Sequence, residues 1–224
     1  MNKILQWKWY LGAGLLFIIA TIAGFDAGRE LLLLSLLPLV FAYAYKYKVK
    51  FNGLIWMLLI SYYTGDILMS GHDPDLVPVM LGIYAVGHLT FLYISYKCIK
   101  DLNVKKILFS AIPFIVLWFI YFNYSIKDIF GSQMGDNYPY IMAYSIILSS
   151  FMIVALLKFF NDERKEYLFT LIVGVSFVGG DIMMGLYDYV TPARIFEVSH
   201  SIATVAAYFF LMRFIIEFDF KQIL

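Results

Sequence analysis

The sequence contains few charged residues and only one cysteine. Of its 224 residues, 15% are charged, whereas soluble domains average about 25%. No basic patch interleaved with aromatic residues offers a surface for nucleic acid. The single cysteine, Cys98, excludes an internal disulfide and any metal site built from several cysteines. The three histidines include no pair four residues apart, which argues against a histidine-rich zinc hydrolase of the membrane type.

Long hydrophobic runs take the place of charge. Hydrophobic residues make up 62% of the chain, and the mean hydropathy is +0.79. Eight apolar runs each approach the roughly 20 residues that cross a bilayer. They cover residues 9–25, 31–45, 54–69, 78–96, 107–123, 138–160, 168–187 and 192–216. Because the runs are continuous and lack the alternation of barrel strands, the sequence predicts an all-α polytopic membrane protein. We expect eight transmembrane helices in a single membrane domain, residues 1–224.

The basic residues alternate between loops along the chain. Fourteen of the 17 lysines and arginines lie near the termini, or close to or beyond the ends of the even-numbered runs, and Arg29, Lys127 and Arg194 lie opposite. Because lysine and arginine mark cytoplasmic loops, both termini are predicted to be cytoplasmic, in a membrane such as the bacterial inner membrane. The first run follows Lys3 and Lys8 but has no small-residue cleavage pair after it, so we expect a retained span.

One acidic motif occurs twice. The copies are Gly65-Asp66-Ile67-Leu68-Met69 and Gly180-Asp181-Ile182-Met183-Met184. Each is followed by a second aspartate after seven residues, then a proline and a histidine, namely Asp73, Pro78 and His88, and Asp188, Pro192 and His200. The repetition predicts two parallel four-helix repeats, roughly residues 1–105 and 106–224, related by an axis along the membrane normal.

Asp66 and Asp181 are the main candidates for chemistry. A carboxylate at membrane depth is costly and marks a functional site. Two carboxyls in a medium of low dielectric do not both ionise readily, so the pair can supply a general acid and a general base. The alternative is a structural role as polar glue between helices. Both should lie about one turn inside the outer helix ends, in an outward-opening cavity shared with His88 and His200.

Tyrosines accompany these residues at helical spacing. Tyr84 precedes His88 by one turn, and Tyr62 and Tyr63 precede Asp66 by one turn. These side chains and the histidines are candidates to orient a polar group of a substrate. The alternative is a belt of polar residues that satisfy one another across helices.

Glu197 and His200 have the spacing of a metal-binding pair in di-iron bundles. The motif occurs only once here, and Glu197 can instead pair with Arg194 at the outer rim. Arg194 is itself a candidate to bind a lipid phosphate, or else a solvated or ion-paired arginine. We predict no metal and no cofactor.

The chain resembles the YhhN-like, or lysoplasmalogenase, family. The resemblance is carried by the first acidic motif, by Gly82, and by Gly87-His88-Leu89-Thr90-Phe91-Leu92-Tyr93. The family's second acidic motif corresponds to Gly180-Asp181, its closing tyrosine pair to Tyr208-Phe209, and Tyr144 also fits. Two positions depart from the family pattern, since Leu37 stands before Pro38 in place of lysine and Met212 stands in place of glutamine.

The resemblance implies an eight-span membrane enzyme that hydrolyses the vinyl ether bond of lysoplasmalogen. The products would be a fatty aldehyde and a glycerophospho-alcohol, with Asp66 and Asp181 as an acid–base pair. The expected partners are a lysophospholipid-type substrate and membrane lipids, and no nucleic acid. Two alternatives remain: a small-molecule or proton-coupled carrier, since carriers also have repeats and buried carboxylates, or a hydrolase of another lipid ether or ester.

Overall fold

The computed structural model describes residues 7–98 and 112–222, and their regular structure is entirely helical. The helices are α1 Lys8–Ala23, α2 Asp26–Lys46, α3 Gly53–Ser70, α4 Val77–Lys97, α5 Ile112–Phe130, α6 Tyr138–Asn161, α7 Lys165–Tyr189 and α8 Arg194–Glu217. Short 3-10 turns lie at Pro74–Leu76, Gly135–Asn137 and Phe220–Gln222. The all-α prediction is therefore confirmed for the described residues.

Six of these helices, α2, α3, α4, α6, α7 and α8, are long and apolar enough to cross a membrane. Helix α1 is apolar but only 16 residues long. The prediction of eight spans therefore stays a prediction. The start of the fifth predicted span, residues 107–111, lies outside the described residues, as do Lys3, Lys100, Lys105 and Lys106.

Several helices extend beyond the hydrophobic runs that predicted them. Helix α2 begins at Asp26, five residues before the run, because an acidic residue in the first turn suits the positive end of the helix dipole. Helix α5 continues to Phe130, past polar residues that end the run, and buries Ile126 and Phe130 on one face. Helix α7 continues to Tyr189, so Asp181 lies about two turns from its end, not the expected one.

The helices pack as pairs around a central space. Helices α3 and α4 form one adjacent pair, and α7 and α8 form another. Helix α4 also packs against α6, and α8 packs against α2, so the two pairs are joined by helices on either side. Helix α1 contacts α2 and α8, and α5 packs on α6. This arrangement brings the parts of α3 and α7 that carry the acidic motif to the wall of one interior.

Aromatic rings fill the core next to that interior. Tyr62 stacks on Phe177 with ring centroids 4.9 Å apart, and Phe91 stacks on Phe151 at 5.0 Å. Tyr62, Phe91 and Phe151 are fully buried. Offset ring pairs of this kind add about 0.5–1.5 kcal/mol beyond the area that they bury. The stacked rings therefore make a rigid floor beneath the interior space.

The outer faces of the helices are also apolar. Large side chains such as Leu31, Ile120 and Tyr121 are 72%, 66% and 72% exposed, and similar residues are exposed on the other helices. A soluble monomer rarely exposes apolar surface of this extent. Together with the six long apolar helices, this surface is that of an integral membrane protein.

Candidate active site

A cavity of about 620 Å³ lies between the helices, and both repeated aspartates line it. Tyr84, Tyr144 and His200 add polar groups to its wall. Further wall residues come from α2, α4, α5, α7 and the loops, including Leu33, Leu81, Phe122, Ile126, Phe130, His72, Asp73, Asn137 and Asp188. Phe177 belongs to both the cavity wall and the aromatic floor. The cavity reaches exposed loop residues at the end of the helices where α3 ends and α4 begins.

Asp66 is held by two tyrosine hydroxyls. The Tyr84 hydroxyl donates to Oδ1 at 2.7 Å, and the Tyr208 hydroxyl lies 2.7 Å from Oδ1 and 2.8 Å from Oδ2. The aspartate is only 2% exposed, and Tyr208 is 1% exposed. A buried carboxyl requires such partners, since leaving it unpaired costs several kcal/mol. Oδ1 therefore receives two hydrogen bonds, and the carboxyl is oriented from two helices, α4 and α8.

The glycine before Asp66 makes this geometry possible. A Cβ atom at position 65 would lie 2.6 Å from the Tyr84 ring, which is closer than carbon atoms approach. Gly65 thus leaves room for the Tyr84 ring to pass α3 and reach the next residue, Asp66. The corresponding Gly180 instead allows close approach of α8, since a Cβ there would meet that of Ala203 at 3.2 Å. The two copies of the motif therefore use their glycines differently.

Asp181 is the end of a hydrogen-bonded chain through four helices. The Tyr144 hydroxyl donates to Oδ2 of Asp181 at 2.6 Å. His88 Nε2 lies 3.0 Å from that hydroxyl, and His88 Nδ1 lies 3.0 Å from the Tyr62 hydroxyl. His88 and Tyr62 are fully buried. Of these four hydrogen-bonded residues, only Tyr144 and Asp181 line the cavity, so His88 and Tyr62 form a second layer behind the wall.

His200 lies on the cavity wall beside the second motif. Its Nδ1 is 3.0 Å from the Gly180 carbonyl oxygen, so Nδ1 carries a proton and donates. The Thr204 hydroxyl donates to the His200 carbonyl at 3.0 Å. These contacts fix the imidazole at the α7–α8 contact and leave Nε2, which lies 3.5 Å from the Thr204 hydroxyl oxygen, as its acceptor. A cavity-facing imidazole acceptor can bind a hydroxyl group of a substrate.

A comparison with protein families matches residues 28–217 to the YhhN family. The chain belongs to the YhhN family. The resemblance read from the acidic motifs is thereby confirmed. No match was found among curated proteins or among solved structures. The matched residues run from α2 to the end of α8 and contain both aspartates with their hydrogen-bond partners.

In this YhhN protein some predicted site residues lie away from the cavity. Tyr63 is 37% exposed and does not line the cavity, although it precedes Asp66 by one turn. At three residues before Asp66 its side chain falls on the outer side of α3, whereas Tyr62 points inward to His88. The expected set of substrate-orienting groups is therefore divided. Tyr84, Tyr144 and His200 are on the wall, and Tyr62, Tyr63 and His88 are not.

Arg194 also lies outside the cavity wall. Its Nη1 donates to the Thr21 carbonyl at 2.8 Å, and its Nε lies 3.7 Å from Glu197. Glu197 is 5% exposed and also pairs with Arg29 of α2. The network joins α1, α2 and α8, so the ion-paired alternative describes Arg194 and Glu197 better than a phosphate or metal role. In the described residues no group of three or more His, Cys, Asp or Glu side chains could hold a metal.

Tyr208 is the site residue that the sequence did not single out for a role. It follows His200 by two turns on the same face of α8, and this spacing was the available signal. Its partner, Asp66, is 142 positions away in the chain. No local pattern could connect the two, because their contact depends on α8 packing beside the α3–α4 pair.

Proposed function

We propose that this YhhN protein is a membrane-embedded hydrolase that cleaves the vinyl ether bond of a lysoplasmalogen. The observation that carries the proposal is the cavity with two carboxyl groups, Asp66 buried and Asp181 partly buried, that are bound by tyrosine hydroxyls and by no cation in the described residues. Vinyl ether hydrolysis begins with proton transfer to carbon and passes through an oxocarbenium ion. One carboxylic acid and one carboxylate are sufficient for both requirements, without any metal or cofactor.

The hydrogen bonds support different roles for the two aspartates. Asp66 accepts three contacts from two hydroxyls, which cover both of its oxygens. Hydrogen-bond donors of this kind favour a carboxylate. Asp181 accepts one hydroxyl at Oδ2, and its Oδ1 has no hydrogen-bond partner among the described residues. We therefore assign Asp66 as the carboxylate and Asp181 as the acid, with its proton on Oδ1 at the cavity surface.

The proposed reaction balances with these two groups and one water molecule. Asp181 delivers its proton to the alkene carbon that is not bonded to oxygen, and the Asp66 carboxylate stabilises the resulting oxocarbenium ion. Water adds to the cationic carbon while Asp66 takes one of its protons. The hemiacetal then collapses: Asp181 removes the hydroxyl proton, and Asp66 returns its proton to the leaving oxygen. The aldehyde and the glycerophospho-alcohol are released with both groups in their starting states.

The cavity has the polarity that a single-chain lipid requires. Its loop end carries polar residues such as Asp73, Asn137 and Asp188, where a head group would lie in water. Its wall along α4 and α5 is apolar, with Leu81, Phe122 and Ile126, and suits a hydrocarbon chain. The aspartates line the same cavity as both sets of residues. A volume of about 620 Å³ is within the usual range of small-molecule sites.

We also propose that the chain is a pair of four-helix repeats with both termini in the cytoplasm. The packing supports the repeat, because the neighbours α1–α2, α2–α3 and α3–α4 correspond to α5–α6, α6–α7 and α7–α8. The contact of α4 with α6 likewise corresponds to that of α8 with α2. The basic loops lie at the opposite end from the cavity mouth. Under the positive-inside rule, the cavity then opens to the non-cytoplasmic side.

The direct test uses purified protein in nanodiscs with three lysophospholipids that share a head group. The 1-alkenyl lipid should yield fatty aldehyde, whereas the 1-alkyl ether should stay intact because it has no alkene to protonate. Release of fatty acid from the 1-acyl lipid would identify an ester hydrolase instead. If none of the three lipids is consumed, and solute flux in proteoliposomes requires Asp66 and Asp181, the protein would be a carrier and the hydrolase proposal would be wrong.

A further inference from the structure

The hydrogens along the buried chain can be assigned by counting donors. The Tyr144 hydroxyl has one proton, which it donates to Oδ2 of Asp181. It must therefore accept from His88, so Nε2 of His88 carries a proton. In a neutral imidazole Nδ1 is then an acceptor, and it receives the Tyr62 hydroxyl proton. Every donor in the chain has an acceptor in this direction.

The reverse direction does not satisfy the chain. If Asp181 donated to Tyr144, the Tyr144 hydroxyl would donate to His88 Nε2, and Nδ1–H would donate to the Tyr62 oxygen. Tyr62 would then need another acceptor for its own proton, and among the described residues its hydroxyl contacts only His88. Tyr62 is fully buried, so water offers no ready substitute, and a buried hydroxyl without an acceptor is costly.

The ring of His88 is also held mechanically. It stacks on Phe151 with centroids 5.9 Å apart and planes at 13°, and it meets Phe177 edge-on at 5.0 Å. Gly87 provides space for the Tyr62 ring, because a Cβ there would lie 2.9 Å from that ring. The imidazole thus has fixed neighbours on its faces and fixed partners at both nitrogens. It does not line the cavity.

We infer that His88 is a positioning residue that acts on Asp181 through Tyr144. Its Nε2–H keeps the Tyr144 proton directed at Oδ2 of Asp181, so the catalytic proton is confined to Oδ1, which has no hydrogen-bond partner among the described residues and belongs to a residue of the cavity wall. The inference rests on the proposed acid role of Asp181. It replaces the expectation that His88 contacts the substrate. Tyr62 is then the end of the hydrogen-bonded chain farthest from Asp181.

The test compares His88→Leu with His88→Gln. Glutamine can donate to Tyr144 and accept from Tyr62, whereas leucine can do neither. We expect His88→Leu to lower kcat by about 10- to 100-fold, the scale of a slightly misplaced catalytic group, with KM nearly unchanged. His88→Gln should recover most of that loss. Ile94→Ala, a truncation at another buried position of α4, should keep kcat even where it lowers stability.

An infrared difference spectrum provides a readout that does not depend on turnover. The carboxyl band of Asp181 is identified by its loss in Asp181→Asn. It should shift in His88→Leu in the same sense as in Tyr144→Phe, and it should stay in place in His88→Gln. Binding of a 1-alkyl lysophospholipid, which is not cleaved, should be equal in all three.

These outcomes separate the inference from the proposed function. Absence of aldehyde release by the wild-type protein would count against the proposed function. The infrared comparison would still test whether His88 acts on Asp181 through the hydrogen-bonded chain. An unmoved Asp181 band in His88→Leu would overturn the inference, as would a raised KM and weakened binding of the alkyl lipid. Equal losses in His88→Leu and His88→Gln would also overturn it, because hydrogen bonding would then not be the property that matters.

Discussion

At the scale of single residues, the two cavity aspartates are bound by phenol hydroxyls. In the described part of the chain neither Asp66 nor Asp181 forms an ion pair with lysine or arginine. A cation would hold a carboxyl permanently in its charged form. A neutral hydroxyl orients the group and still allows it to gain and lose a proton. The site therefore combines fixed geometry with the ability to carry out acid–base steps.

Asp66→Asn and Asp181→Asn should each abolish cleavage of 1-alkenyl lysophospholipid without unfolding the protein. Asparagine has nearly the same shape and can still accept the tyrosine hydrogen bonds, but it cannot deliver a proton or carry the negative charge. General acid–base catalysis contributes about 10²–10⁴-fold, so each loss should be at least of that size. Aldehyde release and thermal unfolding of each variant provide the two measurements.

The double variant Asp66→Asn with Asp181→Asn should be little worse than either single one, because groups that act as one unit are not additive. If either single variant kept near-normal turnover, the two carboxyls would have a structural role and the acid–base pair would be wrong.

Tyr208→Phe should lower kcat by removing the hydroxyl that contacts both oxygens of Asp66. Hydrogen bonds to charged groups contribute about 1.5–3 kcal/mol, which corresponds to a loss of roughly 10- to 100-fold. Phe209→Leu, at the next and less buried position of α8, is the matched control and should retain activity. Equal kcat for Tyr208→Phe and wild type would show that Tyr84 alone is sufficient to hold Asp66.

At the scale of helices, the contact between α3 and α4 depends on Gly65, which has no side chain to meet the Tyr84 ring. Gly65→Ala should displace the Tyr84 ring, since the new Cβ would lie 2.6 Å from it, and should thereby weaken the hydrogen bond to Asp66. Gly179→Ala is the matched control, because a Cβ there meets nothing within 4 Å. The control should keep its activity and gain about 0.5–1 kcal/mol of stability, as helix-interior Gly→Ala changes do. Full activity of Gly65→Ala would contradict the role assigned to the glycine.

Helix α5 provides a separate prediction about the hydrocarbon chain. Ile126→Trp should narrow the cavity beside its apolar wall, because Ile126 lines the cavity and is only 8% exposed. Measured over a series of alkenyl chain lengths, kcat/KM should fall most for the longest chains, by about 10-fold or more. Ile120→Trp, at a position 66% exposed on the outer side of α5, should leave the chain-length profile unchanged. A uniform loss of kcat/KM over all chain lengths would show that the hydrocarbon chain of the substrate does not lie along Ile126.

The helices, and the position of both aspartates in one cavity, could be predicted from the sequence, because hydrophobic length and a repeated acidic motif are local signals. The partners of the aspartates could not. Tyr144 and Asp181 are 37 positions apart, and their contact depends on how α6 packs on α7. His88 is the clearest case: its polarity in an apolar run marked it as functional, but only the packing shows that it lies behind the wall. Helix ends were missed where polar residues continue the helix, as in α5 and α7.

At the scale of the whole molecule, the side of the membrane on which the cavity opens can be tested by labelling. In a Cys98→Ala background, cysteine at Asp73 or Asp188 lies at the cavity mouth, and cysteine at Lys97 lies at the opposite end of α4. A membrane-impermeant thiol reagent should label the first two in intact cells and the third only after permeabilisation. The reverse pattern would invert the proposed topology together with the side of substrate access.

The aromatic floor has a consequence for kinetics. Phe177, with Tyr62 and His88 packed against it, lines the cavity four residues before Asp181, on the side away from the polar opening at the loop end. The water-soluble product must therefore leave through the same mouth that receives the head group of the next lipid. The glycerophospho-alcohol should then compete with substrate, raising its apparent KM without lowering the maximal rate, and turnover should slow as that product accumulates.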